Sequence, residues 1–504
     1  MAYCCLYNWV WIVKCLIINK EDKDDNLYFI RIIILFAASI FLRAAFFKPE
    51  KSKEIKQTLT GIEDSAVENG IVQRFQEMIQ HKTISYNDRS KTDFKEFERF
   101  KEMLVRNYPR LNEACTRELY GDAGVLYRWP GKTAGDPVVL MSHYDVVPVN
   151  EELWTKPAFE GLLENGVIWG RGTLDTKGTL CGVVEAVEKL IGEGFVPETD
   201  IYLSFSGDEE ISGNSAPTIV EALKSRGIRP KLVLDEGGAI VENVFPGVTK
   251  PSALIGVGEK GYMDVVLEMS GKGGHSSAPP SHTLVGRLAK AVVLLEQHPF
   301  KANISPAVKE MFEKMGRHST FMYRLIFANM WCFGPLLKVL FTKQGGEMNA
   351  LIRTTLAPTV MEGSQAFNVM PPKAKVGLNL RLMVTDTVES SLARINSIIS
   401  DPEIQVTCIG GHNASPIANT TSEGWKKVER AIEETWQGTI VSPYLMLAAS
   451  DSRHFCAISD NVLRFSAMTL SSEERGMIHG NDERITVKAL METVAFYIRL
   501  IKQL

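Results

Sequence analysis

The chain has 504 residues, 45% hydrophobic and 23% charged, with a formal net charge of -4. That is globular composition with length for more than one core, and the small net charge gives no electrostatic basis for a nucleic-acid partner. Its eight cysteines form no CxxC or regular framework, which argues against a disulfide scaffold and against a thiolate zinc site.

Two apolar segments lead the chain. Residues 1–18 are interrupted by Lys14, whereas residues 27–47 are centred on IIILFAASIFL with Arg31 and Arg43 near the ends. The second has the length of a membrane span, about 20 residues, and its arginines can snorkel to the interface. Without a small-residue cleavage site it reads as a retained anchor rather than a removed signal peptide. The expectation is a single-pass, membrane-anchored protein with an N-terminal segment 1–26, an anchor 27–47 and a polar linker 48–63. Lysines flank both sides of the anchor, so the side occupied by the remainder stays open.

Helical spacing covers 71–79 and 94–108, and 125–129 reads as a strand closed by Pro130-Gly131. The next stretch, VVLMSHYDVVP, has four apolar residues and then His143 and Asp145. The apolar run predicts a strand buried on both faces. Residues two apart in an extended chain share a side, so Asp145 can hold one ring nitrogen of His143 and leave the other for a metal. A buried histidine satisfied by a nearby carboxylate is the plainer alternative for this pair alone.

The strand-then-ligand design recurs. A strand at 166–169 enters GRGTLDTKG, which places Asp175 before a helix at 179–191, where the helix N-terminus favours an ionised carboxylate. Strand 201–205 leads into SGDEE with Glu209 and Glu210, and strand 232–234 leads directly into Asp235 and Glu236. Ligands of open α/β sheets gather at the carboxyl ends of strands. Repetition at four strands makes solvated turns or helix caps a poor explanation. One imidazole with several carboxylates suits zinc, and also cobalt or manganese. A second histidine, His479, stands in GMIHGNDER ahead of a helix at 486–501.

The segments SHYDVVP, GRGTLDTKG, SFSGDEEISG, LDEGG, GGHSSAPP and MIHGNDER, in that order from 142 to 484, resemble the di-zinc metallopeptidase family of aminoacylase, carboxypeptidase S and glutamate carboxypeptidase. FMYRLIFANMWCFGPLL and NALIRTTLAPTVMEGSQAFNVMPP are most similar to the carboxypeptidase-S branch and its N-fatty-acyl-amino acid synthase/hydrolase relatives. The resemblance implies two Zn2+ ions: His143 and Asp235 on one, Glu210 and His479 on the other, Asp175 bridging. It also implies that Asp145 orients His143, that Glu209 is the general base, and that the peptide after Asp175 is cis, with Thr176 at a position where an acid is frequent. The implied reaction is hydrolysis of an amide bond in an N-acyl amino acid or small peptide. A dipeptide-type carboxypeptidase is the nearest rival, and an inactive binding homologue is the alternative of another class.

The expected fold is α/β: a mixed sheet with helices on both faces, formed by 64–250 and 413–504, plus an inserted α+β lid or dimerisation domain at 251–412. Within 251–412, strands at 261–269, 376–383 and 404–408 alternate with helices at 282–297 and 389–399, a split βαβ pattern. The resemblance makes His275 the lid's oxyanion donor, in some relatives across a homodimer, and Arg381 the grip on the substrate carboxylate. Asn349, Asp451 and Arg453 are further substrate-contact candidates, and His454 reads as structural. Residues 311–342 are unusually apolar. Lid core or interface is the plain reading and an acyl-chain wall the sharper one. Arg324, Lys338 and Gly334-Pro335 speak against a second membrane span.

Overall fold

The computed structural model describes residues 25–49 and 65–504; the rest of the N-terminal segment and most of the linker lie outside them. The apolar runs Val138–His143 and Ile201–Ser206 are buried along their whole lengths, as strands covered on both faces must be. They lie inside an eight-stranded sheet. Its order is Thr116–Tyr120, Gly124–Trp129, Ile201–Ser206, Val138–His143, Leu232–Val241, Val462–Leu470, Ser252–Glu259, Ile440–Met446. The Val138–His143 strand runs parallel to both neighbours, and Val462–Leu470 runs parallel to Leu232–Val241.

Alternation along one strand builds two cores. Val138 and Leu140 join Phe75, Phe100, Val184 and Tyr497 on one face. Val139 and Met141 join Ile219, Leu223 and Phe455 on the other. The sheet therefore has helices on both faces, as the sequence predicts. The edge strand Thr116–Tyr120 and the strand Ile440–Met446 carry too little period-2 signal to be read in advance.

A second, four-stranded antiparallel sheet has the order Thr355–Glu362, Lys373–Leu382, Gly261–Ser270, Gln405–His412. Burial alternates strictly along Gly261–Ser270 and Lys373–Leu382. One face packs against Leu288 and Leu295 of the helix Leu284–Gln297 and Ile395 of the helix Val388–Ile398.

Two parts of 251–412 do not belong to this second sheet. Ser252–Glu259 is a strand of the central sheet, so the chain leaves that sheet only at Lys260. The helices Pro306–His318, Phe321–Phe327 and Met330–Gln344 bury Val308, Phe312, Phe327, Leu337 and Phe341 against Phe245, Val248, Ile440 and Leu445. The lid sheet's apolar face is already filled by its own two helices. This apolar stretch instead covers the Ile440–Met446 edge of the central sheet.

The N-terminal helix Asp25–Phe46 is the one helix among the described residues long and apolar enough by itself to cross a membrane, and its apolar window Phe29–Phe46 is only 11% buried.

Candidate metal centre

The site lies where the central strands end. His143 is the last residue of its strand and Ser206 of the neighbouring one. The strand Leu232–Val241 supplies Asp235 and Glu236. Asp175 sits in the turn before the helix Lys177–Gly192, and its peptide bond to Thr176 is cis. His479 comes from the loop between the helix Ser472–Met477 and the strand Arg484–Thr486, with a left-handed φ of 60°.

These elements bring two histidines and three carboxylates together. Asp175 stands between the histidines: Oδ1 lies 3.0 Å from Nε2 of His143 and Oδ2 lies 3.0 Å from Nε2 of His479. Glu210 Oε2 is 3.0 Å from the same His479 nitrogen. Glu236 Oε1 is 3.4 Å from Nε2 of His143. The donors form two triplets that share Asp175: His143, Asp175, Glu236 and Asp175, Glu210, His479, with the ligand atoms of each within 4.8 Å of one another.

Asp235, expected beside His143, is not in either triplet. Adjacent residues of a strand point to opposite sides, and Asp235 Oδ2 accepts the amide of Ser452 at 3.0 Å. Its place is taken by Glu236. The sequence signal was the acidic pair itself; which member faces the cleft depends on the Ser452 turn, more than 200 residues away.

The surrounding hydrogen bonds fix these groups. Nδ1 of His143 lies 3.0 Å from the carbonyl and 3.3 Å from the carboxylate of Asp145, leaving Nε2 directed at the acids. The buried Asp145 carboxylate also accepts Ser85 Oγ at 2.7 Å and the amides of Glu209 and Glu210 at 3.2 and 3.1 Å. One aspartate thus orients the imidazole and the acidic turn. Glu483 does similar work on the far side. Its buried carboxylate accepts the amides of Gly172, Leu174 and Asp175 and pairs with Arg171 at 2.6 Å. Arg171 donates in turn to the carbonyl of Gly480, so the Asp175 turn and the His479 loop are braced together. Neither Ser85 nor Glu483 announces itself in the sequence, because both act through backbone amides or side chains far along the chain.

The electrostatics are those of a site that needs cations. Burial pushes Glu236 up to about 8, helped by Asp175 and Asp235 and opposed by His143. Burial also raises Glu209 and Glu210, against the pull of the histidines. Asp175 goes the other way: burial would raise it, but hydrogen bonds from His143 and His479 hold it well below the usual carboxylate range. The bonds to Asp175 and Glu210 push His479 up to about 10. Crowded carboxylates cannot all ionise in a buried site without a neutralising charge. Glu210 Oε1 is buried without a partner. Imidazole and carboxylate donors, an acid with one oxygen toward each histidine, and an orphaned acceptor together fit divalent metal ions.

Of the remaining candidates, Asp451 borders the centre, beside Glu209 and Asp235. Asp451 is buried and accepts Ser206 Oγ at 2.6 Å, and burial pushes it up to about 7. Arg453 donates to the carbonyl of Ser450 at 2.7 Å. His275 is exposed on a two-residue ribbon of the lid, where its Nδ1 accepts the amide of Ser277. Arg381 lies over the Tyr262 ring at 5.1 Å. Asn349 lines a cavity of about 230 Å³ with Arg353, Leu295, Phe300 and Ile395. None of these last three is part of the acidic centre within this chain.

Comparison with known proteins identifies the family. The model of "Peptidase family M20/M25/M40" matches residues 139–503. "Probable carboxypeptidase S-like 2" of Dictyostelium discoideum is 34% identical over 444 residues, 86% of this chain and 84% of that protein. "N-fatty-acyl-amino acid synthase/hydrolase PM20D1" of Homo sapiens is 35% identical over 370 residues, 73% of this chain and 74% of that protein. Among solved structures, the M20 family metallo-carboxypeptidase Sso-CP2 from Sulfolobus solfataricus shares the fold with a TM-score of 0.67 at 17% identity, covering 86% of this chain and 98% of that one. With the match spanning every residue of the two triplets, the chain belongs to Peptidase family M20/M25/M40, a family of metal-dependent hydrolases.

Proposed function

We propose that the protein is a di-zinc amidohydrolase that cleaves N-acyl amino acids or small peptides, held at a membrane by its N-terminal helix. The observation that carries this reading is Asp175 directing one oxygen to His143 and the other to His479. His143 with Glu236 would hold one ion and Glu210 with His479 the other, and Asp175 would bridge them. Cobalt or manganese could replace zinc in this donor set. Ions in these positions would acidify a bound water and polarise the substrate carbonyl.

The chain's own groups supply the rest. Glu209 and Glu210 diverge from one short turn, so Glu210 can ligate while Glu209 takes the proton of the attacking water. The Glu209 carboxyl would then return the proton to the departing nitrogen. Asp145 keeps His143 in one tautomer. The lid would bring His275 to the developing oxyanion and Arg381 to the substrate carboxylate, with a second copy facing the lid as its partner. The acylated substrate class is supported by the names of the relatives. The reverse condensation uses the same groups.

A hydrolysis panel read by mass spectrometry tests the proposal, with the full chain supplied with zinc beside Glu209→Gln. N-acetyl and N-oleoyl amino acids should be cleaved by the first protein and spared by the second. Cleavage of unmodified dipeptides alone would move the protein to the dipeptide-type carboxypeptidases. No cleavage of any substrate despite bound metal would favour the binding homologue.

A further inference from the structure

The apolar stretch left unexplained by the lid forms an elbow. Phe321–Phe327 and Met330–Gln344 meet at 105°. Their inner residues, Phe327, Leu337 and Phe341, are buried against the central body. Their exposed outer residues are largely apolar, Phe321, Met322 and Tyr323 on the first arm and Trp331, Leu336, Val339 and Leu340 on the second, and turn polar at Thr342, Lys343 and Gln344 where the second arm ends. A helix apolar all round is stable only where both sides are covered, and a patch of this kind marks a binding surface.

The N-terminal helix lies against this elbow. Phe36 meets Trp331 edge to face at 5.8 Å, and Phe41 stacks on Phe321 at 6.3 Å. Asn329 donates to the carbonyl of Ile40, and Arg43 donates to the carbonyl of Ala328. Beyond the last turn, Arg317 lies over the Phe47 ring and donates to the carbonyl of Lys48. Basic groups thus collect where the helix enters the body.

Length decides what covers the elbow. The window Phe29–Phe46 is about 27 Å long at 1.5 Å per residue, close to the roughly 30 Å hydrocarbon core. The elbow flanks this helix from Phe36 to Arg43. If the elbow stood in water, only residues 27–35 would remain for the bilayer, about 14 Å, too short to span. A helix that crosses therefore takes the elbow in with it.

We propose that the elbow Phe321–Gln344 is embedded in the leaflet on the catalytic side, beside the N-terminal span, with its exposed apolar face against lipid acyl chains. The catalytic body is then seated on the membrane rather than tethered above it. The elbow docks on the loop that follows the Glu236 strand, through Phe245–Phe327 packing at 4.8 Å and the Thr320 amide on the Gly247 carbonyl. This inference rests on the membrane reading of the N-terminal helix, and the test separates the two.

The full chain is reconstituted at one copy per nanodisc in phosphatidylcholine, with and without lipid brominated in the acyl chains. Tryptophan emission is compared for the native protein and Trp331→Phe. Co-flotation of the full chain with phosphatidylcholine vesicles reports the anchor independently. The expected result is that bromolipid quenches the Trp331 component, so the native protein loses clearly more emission than Trp331→Phe. Co-flotation with equal quenching of the two proteins would overturn the embedded elbow while leaving the anchor in place. A chain that does not co-float would overturn both. Trp331 is exposed and lies outside the candidate centre.

Discussion

The acidic centre and the lid are built by opposite rules. At the centre, every group is fixed inside one chain: Asp145 accepts Ser85 and two amides, and Glu483 accepts three amides and Arg171. In the lid, His275 is exposed and Arg381 rests on a tyrosine ring. The donors of the centre are held in place by the chain itself, whereas His275 and Arg381 have no such bracing. Chemistry that must hold metals needs preorganised donors, and recognition can wait for the ligand.

The largest expected effect tests that division at the base. Glu209→Gln should lower kcat by about 10²–10⁴-fold with metal content unchanged; loss of metal in this variant would make Glu209 a ligand instead. Glu483→Gln comes next, because it strands Arg171 in a buried site. Denaturant titration should show a loss of about 3–5 kcal/mol, and a variant as stable as the parent would remove the brace between the two loops. On the lid side, Arg381→Ala should lower kcat/KM by about 10–100-fold, mostly through KM, with metal content intact. An effect confined to kcat would place Arg381 at the reaction rather than at the substrate carboxylate.

The smallest effect lies at the junction of the two regions. Lys260 is buried where the chain leaves the central sheet, donates to the carbonyls of Ala350 and Arg353, and is pushed by burial, and by the nearby Arg381, down to about 7 from 10.5. Between those two values the unfolded chain holds a proton that the folded chain has released, so this group makes stability rise with pH across that window. Unfolding midpoints at pH 7 and pH 9 should rise less with pH in Lys260→Met than in the native protein. Parallel slopes would show that Lys260 keeps its charge.

How much was legible follows the same division. The buried strands, the histidine and acids at their ends, and the His479 loop carry local signals, because apolar runs and ligand types sit next to each other in sequence. Asp235 was the exception. Two adjacent acids look alike in sequence, and it is the distant Ser452 amide on Asp235 that sets it apart from Glu236, which faces His143. The apolar residues 311–342 read as lid core or interface from their composition and their place between 251 and 412. Their partners Phe245, Ile440 and Leu445 come from elsewhere in the chain, and no local pattern encodes such contacts. The elbow's contact with the N-terminal helix joins residues almost 300 apart, such as Ile40 and Asn329.

The most direct test of the centre is its metal stoichiometry, measured by elemental mass spectrometry on the native protein, Glu236→Ala and Asp235→Asn. With two triplets sharing Asp175, the native chain should carry about two ions, Glu236→Ala about one, and Asp235→Asn about two, since two-metal sites need each triplet complete. Loss of an ion from Asp235→Asn with retention in Glu236→Ala would return the ligand role to Asp235. A folded native chain that takes up no divalent metal would contradict the account at its root.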